Sequence, residues 1–501
     1  MKRWRDINSQ QGSTLQELDL TYTQKPTMKA TRLFYAILSL ASATGAISLH
    51  KRQDGLEPRV LALDLQRSTI HDPVGNDRKR LARRSGSINV GIDNLQSLYF
   101  FNASLGTPAQ DFRLHLDTGS SDLWVNANNS TLCSTPADVC STSGLYNAAK
   151  SSTYKFVSSE FNITYADGSG AAGDYATETF RVGKTELKEL QFGIGYETSS
   201  DQGVLGIGYS SNEAQVAEFG GEPYDNLPAK MAADGLIASN AYSLWLDDLD
   251  SASGTILFGG VDRKRFTGDL ITVPIQKFGG RFSQFYITLT GLSVGSDTVD
   301  DNLALGVILD SGSTLTYLPT SLAEAVFEIV GADYEQGAST AYVPCDLANA
   351  SGNLTFSFSS PAEITVPLSE LVLDFTDVTG RRLRFDDGEP ACMFGIAPSP
   401  GGTNVLGDTF LRSAYVVFDL GNNEVSLAQS NFDADGSDVV EIGSGDGAVP
   451  AATGADEPVT AASGVPASSA NGAGSLSPLG KDGRVSLYVG ALALGFVWSL
   501  V

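Results

Sequence analysis

Between residues 97 and 432, hydrophobic and polar positions follow one another in short runs with few stretches of helical spacing. Runs rich in β-branched and aromatic residues, such as 98–105 and 415–420, are bounded by Gly and Asn and predict strands. Helical patterns are few and short, for example over 227–235 and 321–330. The pattern therefore predicts a mainly β protein.

Composition supports a large folded chain and narrows its chemistry. The 501 residues are 42% hydrophobic and include 53 Gly, which is typical of a turn-rich protein with room for two cores. A net charge of −25 excludes a basic nucleic-acid binder, so we expect no nucleic-acid partner. The only histidines are His50, His71 and His115, which excludes a multi-histidine zinc site in the body. Carboxylates are the reactive groups present in quantity.

The first 46 residues contain a predicted secretory signal peptide. Residues 28–46 combine Lys29 and Arg32, a short apolar run and then small residues, the order of a signal peptide. We interpret residues 1–27, which precede it, as an over-extended gene model with the true start at Met28. The alternative is an uncleaved type II anchor, for which the apolar run is short.

Residues 47–84 predict a basic prosegment. They contain nine Lys and Arg against five Asp and Glu and end in a multibasic sequence, Arg78-Lys79-Arg80 with Arg83-Arg84, typical of a processing site. A basic segment over an acidic body suggests an electrostatic latch that acid releases. An ordinary disordered linker is the alternative.

The C-terminal end predicts a membrane anchor. Residues 433–484 are rich in Gly, Ala, Ser, Asp and Pro and are expected to form a disordered stalk, followed by an uncharged apolar tail over 485–501. Asn471, Gly472 and Ala473, a polar spacer and then this tail give the order of a GPI signal, with attachment at Asn471. A transmembrane helix is the alternative, disfavoured because no basic residue follows the tail.

Secretion also bears on the cysteines and asparagines. The four cysteines form no metal-type CxxC pair, and among three possible pairings we choose the sequential one, Cys133 with Cys140 and Cys345 with Cys392. No metal is expected. The predicted N-glycosylation acceptors are Asn102, Asn128, Asn129, Asn162, Asn349 and Asn353.

One carboxylate pattern occurs twice. An apolar strand runs into Asp117-Thr-Gly-Ser, and a second one runs into Asp310-Ser-Gly-Ser. Each is followed, 87 and 95 residues later, by a Val-Leu-Gly triplet at 204–206 and 405–407. A lone Asp-Ser-Gly would be taken for a surface turn, but the duplication indicates two homologous lobes that each donate one aspartate.

These motifs resemble the pepsin-type aspartic proteases over about residues 98–432. The resemblance includes Gly106-Thr-Pro-Ala-Gln110 before the first motif and Gly407-Asp-Thr-Phe-Leu-Arg412 near the end. It implies a bilobal fold with the active-site cleft between an N-terminal lobe, 85–270, and a C-terminal lobe, 271–432. With the signal, prosegment and tail, the chain is similar to the fungal, cell-surface, yapsin-like branch. A monomeric endopeptidase of peptides and proteins, without a cofactor, is implied.

The resemblance and the chemistry assign roles to single residues. Peptide hydrolysis by water needs a base and an acid, which two close carboxylates sharing one proton supply, so Asp117 and Asp310 are the expected catalytic pair. The residues expected to contact substrate are Gly119, Tyr165, Asp167, Gly168, Ser169, Gly312 and Ser313. Those expected to support the pair are Thr118, Ser120, Ser311 and Trp124.

The hairpin that carries Tyr165 resembles the flap that closes over substrate, with Tyr165 hydrogen-bonded toward Trp124. Asp167 stands where many relatives have a neutral hydroxyl residue, and its charge predicts acceptance of Lys or Arg, besides hydrophobic residues, on the amino side of the cut. A plain turn role for Asp167 is the alternative. For the whole protein, the alternatives are a catalytically inactive homologue that acts as a wall-binding or structural protein, and a protease shed from its stalk.

Overall fold

The computed structural model describes residues 59–71, 95–134, 139–165, 169–251, 253–375, 382–399, 402–432 and 434–465. The fold is mainly β and bilobal, as the sequence predicts. Its strands form one sheet of fourteen strands and four smaller sheets of two to five strands within the described residues. The predicted signal, processing site and GPI signal lie outside these residues.

Most of the strands are short because turn residues interrupt the hydrophobic runs. Their bounds are β1 Leu61–His71, β2 Leu95–Leu105, β3 Gln110–Asp117, β4 Leu123–Asn126, β5 Lys155–Thr164, β6 Gly170–Val182, β7 Thr185–Thr198, β8 Gly203–Gly206, β9 Ala241–Trp245, β10 Ser253–Phe258, β11 Gly260–Asp262, β12 Phe266–Pro274, β13 Tyr286–Leu289, β14 Gly291–Val294, β15 Asp297–Asp300, β16 Leu305–Leu309, β17 Thr316–Leu318, β18 Asp333–Glu335, β19 Thr340–Pro344, β20 Asn353–Ser357, β21 Glu363–Pro367, β22 Val372–Leu373, β23 Ala391–Phe394, β24 Ile396–Pro398, β25 Val405–Leu406, β26 Ala414–Asp419, β27 Glu424–Ser430, β28 Val439–Glu441 and β29 Ala452–Gly454.

The α-helices have four to eleven residues. The α-helices are α1 Ala214–Ala217, α2 Leu227–Ala233, α3 Thr320–Val330, α4 Leu368–Leu371 and α5 Asp408–Leu411, and 3-10 turns lie at Ala148–Lys150, Ser210–Asn212 and Cys345–Asn349. The longest, α3, buries Leu322, Ala323, Val326 and Phe327 on one face and ends at Gly331, whose φ of 71° suits a left-handed cap. Within the described part of the chain, no helix is long and apolar enough to cross a membrane.

The two lobes share the large sheet. Its order is β29-β12-β27-β26-β9-β10-β1-β2-β3-β8-β4-β7-β6-β5, so β26 and β27, from the end of the family-like region, lie between β12 and β9. The predicted lobe boundary at residue 270 falls inside β12, Phe266–Pro274. A division of the chain at one residue does not separate the strands of this sheet, because backbone hydrogen bonds between β26 and β9 join late and early parts of the chain.

Part of the predicted prosegment is a central strand. β1 pairs antiparallel with β10 on one side and with β2 on the other. Leu63 and Leu65 are buried in the main core. Residues 59–71 are therefore an ordered part of the body, and the alternative of a disordered linker does not hold for them.

The segment that follows the predicted C-terminal lobe is also ordered. Residues 434–465, called the C-terminal strap below, pair through β28 with β11 and through β29 with β12. Val439 and Ile442 are fully buried in a cluster with Trp245 and Tyr415. The predicted disordered stalk over 433–484 is thus wrong for 434–465, because a few apolar anchors combined with backbone pairing to sheet edges suffice to hold a Gly-rich segment.

The strap continues to the start of the strand that carries the second motif. The carbonyl of Ser463 accepts a hydrogen bond from the backbone N–H of Gly306, and Val465 packs against the hydrophobic cluster that includes Tyr286 and Val405. Near its other end, Arg59, at the start of the described prosegment, donates from Nε to Oε1 of Glu441 at 3.2 Å. The strap therefore contacts both the shared sheet and the C-terminal lobe.

Candidate active site

The first motif forms a buried loop at the end of β3. Asp117 is 1% exposed. Its Oδ1 accepts from the backbone N–H of Gly119 at 2.9 Å, and its Oδ2 accepts from Oγ of Ser120 at 2.6 Å. These two donors fix the plane of the carboxylate.

The second motif repeats this geometry at the end of β16. Asp310, also 1% exposed, accepts at Oδ1 from the N–H of Gly312 at 2.9 Å and at Oδ2 from Oγ of Ser313 at 2.9 Å. The duplicated sequence therefore builds two equivalent carboxylate loops.

The hydroxyl residues after the aspartates join the two loops reciprocally. The Oγ1 of Thr118 donates to the carbonyl of Leu309 at 3.1 Å and accepts from the N–H of Ser311 at 2.9 Å. The Oγ of Ser311 donates to the carbonyl of Leu116 at 3.1 Å and accepts from the N–H of Thr118 at 3.2 Å. All these groups are buried, so water does not compete for them.

The loops approach so closely that only glycine fits between them. A Cβ at Gly119 would lie 2.5 Å from Oδ1 and 2.7 Å from Cγ of Asp310. The first loop and the second carboxylate are thus in direct contact across the interface of the lobes.

The Val-Leu-Gly companions pack beneath the loops. β8 runs parallel to β3, with Gly206 opposite Asp117, and β25 runs parallel to β16. A Cβ at Gly206 would lie 2.5 Å from the backbone nitrogen of Ser121, and one at Gly407 would lie 2.4 Å from the carbonyl oxygen of Ser313. Glycine in both triplets is therefore required by close backbone approach.

The predicted flap is the hairpin of β5 and β6. Thr164 pairs with Gly170, and the N–H of Tyr165 donates to the carbonyl of Ser169 at 2.9 Å. The Nε1 of Trp124 donates to the hydroxyl of Tyr165 at 2.6 Å, the bond that the resemblance implies. Asp167 and Gly168, predicted at the tip, lie outside the described residues.

A buried carboxylate that the sequence interpretation missed lies behind this flap. Asp122 is fully buried, and its Oδ1 accepts from the hydroxyls of Tyr175 at 2.8 Å and Tyr224 at 2.9 Å. Its Oδ2 accepts from the N–H of Ala214 at 2.8 Å. The signal was present in the sequence as an acidic residue between a motif and the apolar run 123–125. Burial raises the pKa of Asp122, and its three donors oppose that rise.

Glu213 is a second buried carboxyl beside Asp122. Its Oε2 accepts from the N–H of Tyr224 at 2.8 Å. Burial, with smaller effects of the like charges of Asp122 and Asp225, raises the pKa of Glu213 to about 9, against backbone and Ser210 hydrogen bonds that lower it. Glu213 is therefore neutral at acidic and neutral pH.

This burial makes stability depend on pH. Between pH 4.5 and about 9, the folded protein keeps the Glu213 proton that the unfolded chain has released. The contribution of Glu213 to the free energy of unfolding is therefore fully present below pH 4.5. As pH rises through this range, the free energy of unfolding is expected to fall by at most about 1.4 kcal/mol per pH unit. Glu213→Gln, which mimics the neutral form, should flatten the profile in denaturant unfolding at several pH values. An unchanged slope, or equal flattening by the exposed control Glu160→Gln, would contradict this assignment.

The predicted disulfides and glycosylation acceptors can be located in the structure. Both predicted disulfides are present, Cys133 to Cys140 and Cys345 to Cys392. The side chains of five of the predicted acceptors are exposed and that of the sixth, Asn353, is partly exposed; the exposed five are Asn102, Asn128, Asn129, Asn162 and Asn349. Glycosylation itself stays a prediction, and Asn471 lies outside the described residues.

Comparisons with known proteins agree with this geometry. The family model described as eukaryotic aspartyl protease matches residues 98–430. The chain is 52% identical over 431 residues to the probable aspartic-type endopeptidase opsB of Aspergillus fumigatus, covering 85% of this chain and 87% of that protein. It is 47% identical over 489 residues to the opsB of Aspergillus oryzae, covering 93% and 98%. It is 34% identical over 388 residues to secreted aspartic protease 4 of Candida albicans, covering 76% and 87%. The chain therefore belongs to the eukaryotic aspartyl protease family and is an aspartic-type endopeptidase.

Proposed function

We propose that Asp117 and Asp310 are the catalytic pair and hydrolyse peptide bonds with a water molecule held between them. The observation that supports this most directly is the meeting of two equivalent carboxylate loops, so close that Gly119 leaves no room for a Cβ beside Asp310. Each aspartate also has its own backbone N–H and Ser hydroxyl donor.

The pair supplies both proton transfers that the reaction needs. Two carboxylates at close range resist double ionisation and share one proton, and the aspartic-protease pair is the standard example of this behaviour. The ionised carboxylate takes a proton from water as it attacks the carbonyl carbon, and the protonated carboxyl gives its proton to the carbonyl oxygen. When the C–N bond breaks, the proton taken from water passes to the leaving nitrogen, and a hydroxyl of the intermediate returns a proton to the other carboxylate. These roles belong to the pair and not to either residue alone.

The flap would complete the site when a peptide binds. The hydroxyl of Tyr165 is held by Trp124, and Ser169 closes the described end of the hairpin. Closure over a peptide would exclude water and orient the scissile bond, with Gly168 and Ser169 offering hydrogen bonds to the substrate backbone. Gly119 and Gly312 leave space for the substrate backbone near the pair.

Hydrolysis of a mixed peptide library tests this function. The glycosylated protein, produced with its prosegment and matured, is incubated from about pH 3 to about pH 7 with and without the aspartic-protease inhibitor pepstatin, and the products are sequenced. Pepstatin-blocked cleavage is expected. No cleavage by the folded, matured protein at any of these pH values would overturn the proposal in favour of a binding homologue.

Asp167 is the proposed determinant of a basic residue on the amino side of the cut, beside hydrophobic ones. Two residues along the chain from Tyr165, its carboxylate would attract Lys or Arg in the first specificity pocket. Asp167→Thr is expected to lower kcat/KM for a Lys peptide about tenfold more than for the matched Phe peptide, which a pair of fluorogenic substrates measures.

The control for Asp167 is an acid of the same hairpin. Glu160→Gln removes an exposed charge from β5 and should leave the Lys-to-Phe ratio at the parent value. Equal effects of Asp167→Thr on both peptides would support the plain turn role instead.

The proposed setting is the cell surface at acidic pH. The secretory signal, the sequons, the disulfides and the similarity to a relative named secreted aspartic protease support export, with a GPI anchor at Asn471. The acidic body and the neutral Glu213 support work at low pH. Release of the enzyme from intact cells by a phosphatidylinositol-specific phospholipase tests the anchor, and retention after complete lipid cleavage would contradict it.

A further inference from the structure

Asp122 joins three elements of the N-terminal lobe. It follows the first carboxylate loop by two residues, and its three donors come from β6, from the N-terminus of α1 and from Tyr224, which precedes α2. Tyr224 makes two hydrogen bonds here, since its hydroxyl donates to Asp122 and its backbone N–H donates to Glu213. A single carboxylate thus fixes the flap strand, the short helix and the intervening loop.

An unbroken series of aromatic contacts leads from Asp122 to the flap tyrosine. The ring of Tyr224 packs edge-on against Tyr175 at 5.9 Å, and Tyr175 packs edge-on against Phe161 at 5.2 Å. Phe161 lies 6.4 Å from the ring of Trp124, which is 6.5 Å from that of Tyr165. Tyr165 and Tyr224 are partly buried against the same hydrophobic cluster. The series therefore connects Asp122 to the flap tyrosine through buried side chains, since Tyr175 is 0% and Phe161 is 1% exposed.

A buried carboxylate has a desolvation cost, and apolar side chains of similar volume often stabilise a fold equally well. A carboxylate differs from them because its hydrogen bonds are directional. Its lone pairs hold two hydroxyls and one N–H at set angles, which apolar packing cannot do. The position of Asp122 at one end of the aromatic series indicates that it aligns the flap tyrosine at the other end.

We propose that Asp122 is a positioning residue that holds the flap tyrosine, Tyr165, in place through the buried aromatic series described above. The proposal rests on the proposed function, since Tyr165 belongs to the flap that would close over the substrate. Loss of the Asp122 bonds leaves the two carboxylate loops intact, because their donors are other groups. Binding of substrate suffers and the chemical step does not.

Single hydroxyl deletions test the proposal without disturbing the backbone. Tyr224→Phe and Tyr175→Phe are each expected to raise KM for a peptide with Phe before the cut about tenfold, with kcat within about twofold of the parent. Asp122→Asn should raise KM at least as much. In the Asp122→Asn background, Tyr224→Phe should have little further effect, because its partner is already impaired.

The same lobe offers a matched control. The hydroxyl of Tyr146 donates to Oε2 of Glu178 at 2.8 Å, a buried tyrosine–carboxylate bond among Phe112 and Phe192. Tyr146→Phe should lower Tm about as much as Tyr224→Phe and leave KM at the parent value. This separates a displaced flap tyrosine from a general loss of stability.

The outcomes are distinct from those of the proposed function. Failure of the parent enzyme to cleave either peptide contradicts the function itself. With an active parent, KM values of both tyrosine variants within twofold of the parent would overturn the positioning role, as would an equal rise in Tyr146→Phe. If Asp122→Asn does not fold, the tyrosine variants still decide the question.

Discussion

Asp117→Asn and Asp310→Asn are each expected to lower kcat/KM for peptide hydrolysis about a thousandfold or more. General acid–base catalysis contributes about 10²- to 10⁴-fold, and here one pair performs both proton transfers. An asparagine keeps the volume and one acceptor oxygen, so the loop can retain one of the hydrogen bonds from Gly119 and Ser120. Initial rates on a fluorogenic peptide measure the effect.

The control is the exposed Asp297→Asn in β15, which should keep full activity. Circular dichroism and Tm must show that all three variants fold. A folded Asp117→Asn or Asp310→Asn enzyme with more than a tenth of the parent activity would rule out the pair as the source of catalysis.

A chain that ends at residue 432 is expected to be markedly less stable than one that ends at 465. It lacks Val439 and Ile442, which are fully buried, and Val449, which is 7% exposed. Its truncation uncovers Trp245 and Tyr415 and leaves the edges of β11 and β12 unpaired. We expect Tm to fall by several degrees and the short chain to aggregate, which scanning fluorimetry and light scattering would show.

Ile442→Ala is the point variant that accompanies this deletion. Removing a buried Ile side chain costs about 2–5 kcal/mol, but the variant cannot lose more than the whole strap contributes, because the strap would then detach. The deletion should therefore destabilise at least as much as Ile442→Ala. Equal stability of the chains that end at 432 and 465 would contradict a structural role for the strap.

The carboxylate loops of the candidate active site could be predicted from the sequence, because the residues of each loop are close together in the chain. Each aspartate, its glycine and its serine lie within four consecutive residues, and the duplication indicates that two such loops meet. The structure also contains the predicted sequential disulfides and the Tyr165–Trp124 hydrogen bond. Features whose residue types and order stand in the sequence could therefore be predicted from it.

Other features depend on partners distant in sequence. Asp122 receives hydrogen bonds from Tyr175 and Tyr224, 53 and 102 residues away, and nothing local indicates that these meet. The strap is Gly-rich and apolar-poor, so composition predicted disorder. Its order depends on the unpaired edges of β11 and β12, which exist only after the body has folded.

With the proposed GPI anchor, the strap would also limit the distance between the enzyme and a membrane. The described chain is fixed to the body up to Val465, which packs against the hydrophobic cluster that includes Tyr286. With the proposed attachment at Asn471, six residue steps remain, which span about 20 Å when fully extended. A disordered stalk beginning at 433 would have allowed a reach of more than 100 Å by the same measure. The catalytic body would therefore stay close to the lipid headgroups. Proteins held at the same short distance from the membrane would be its accessible substrates.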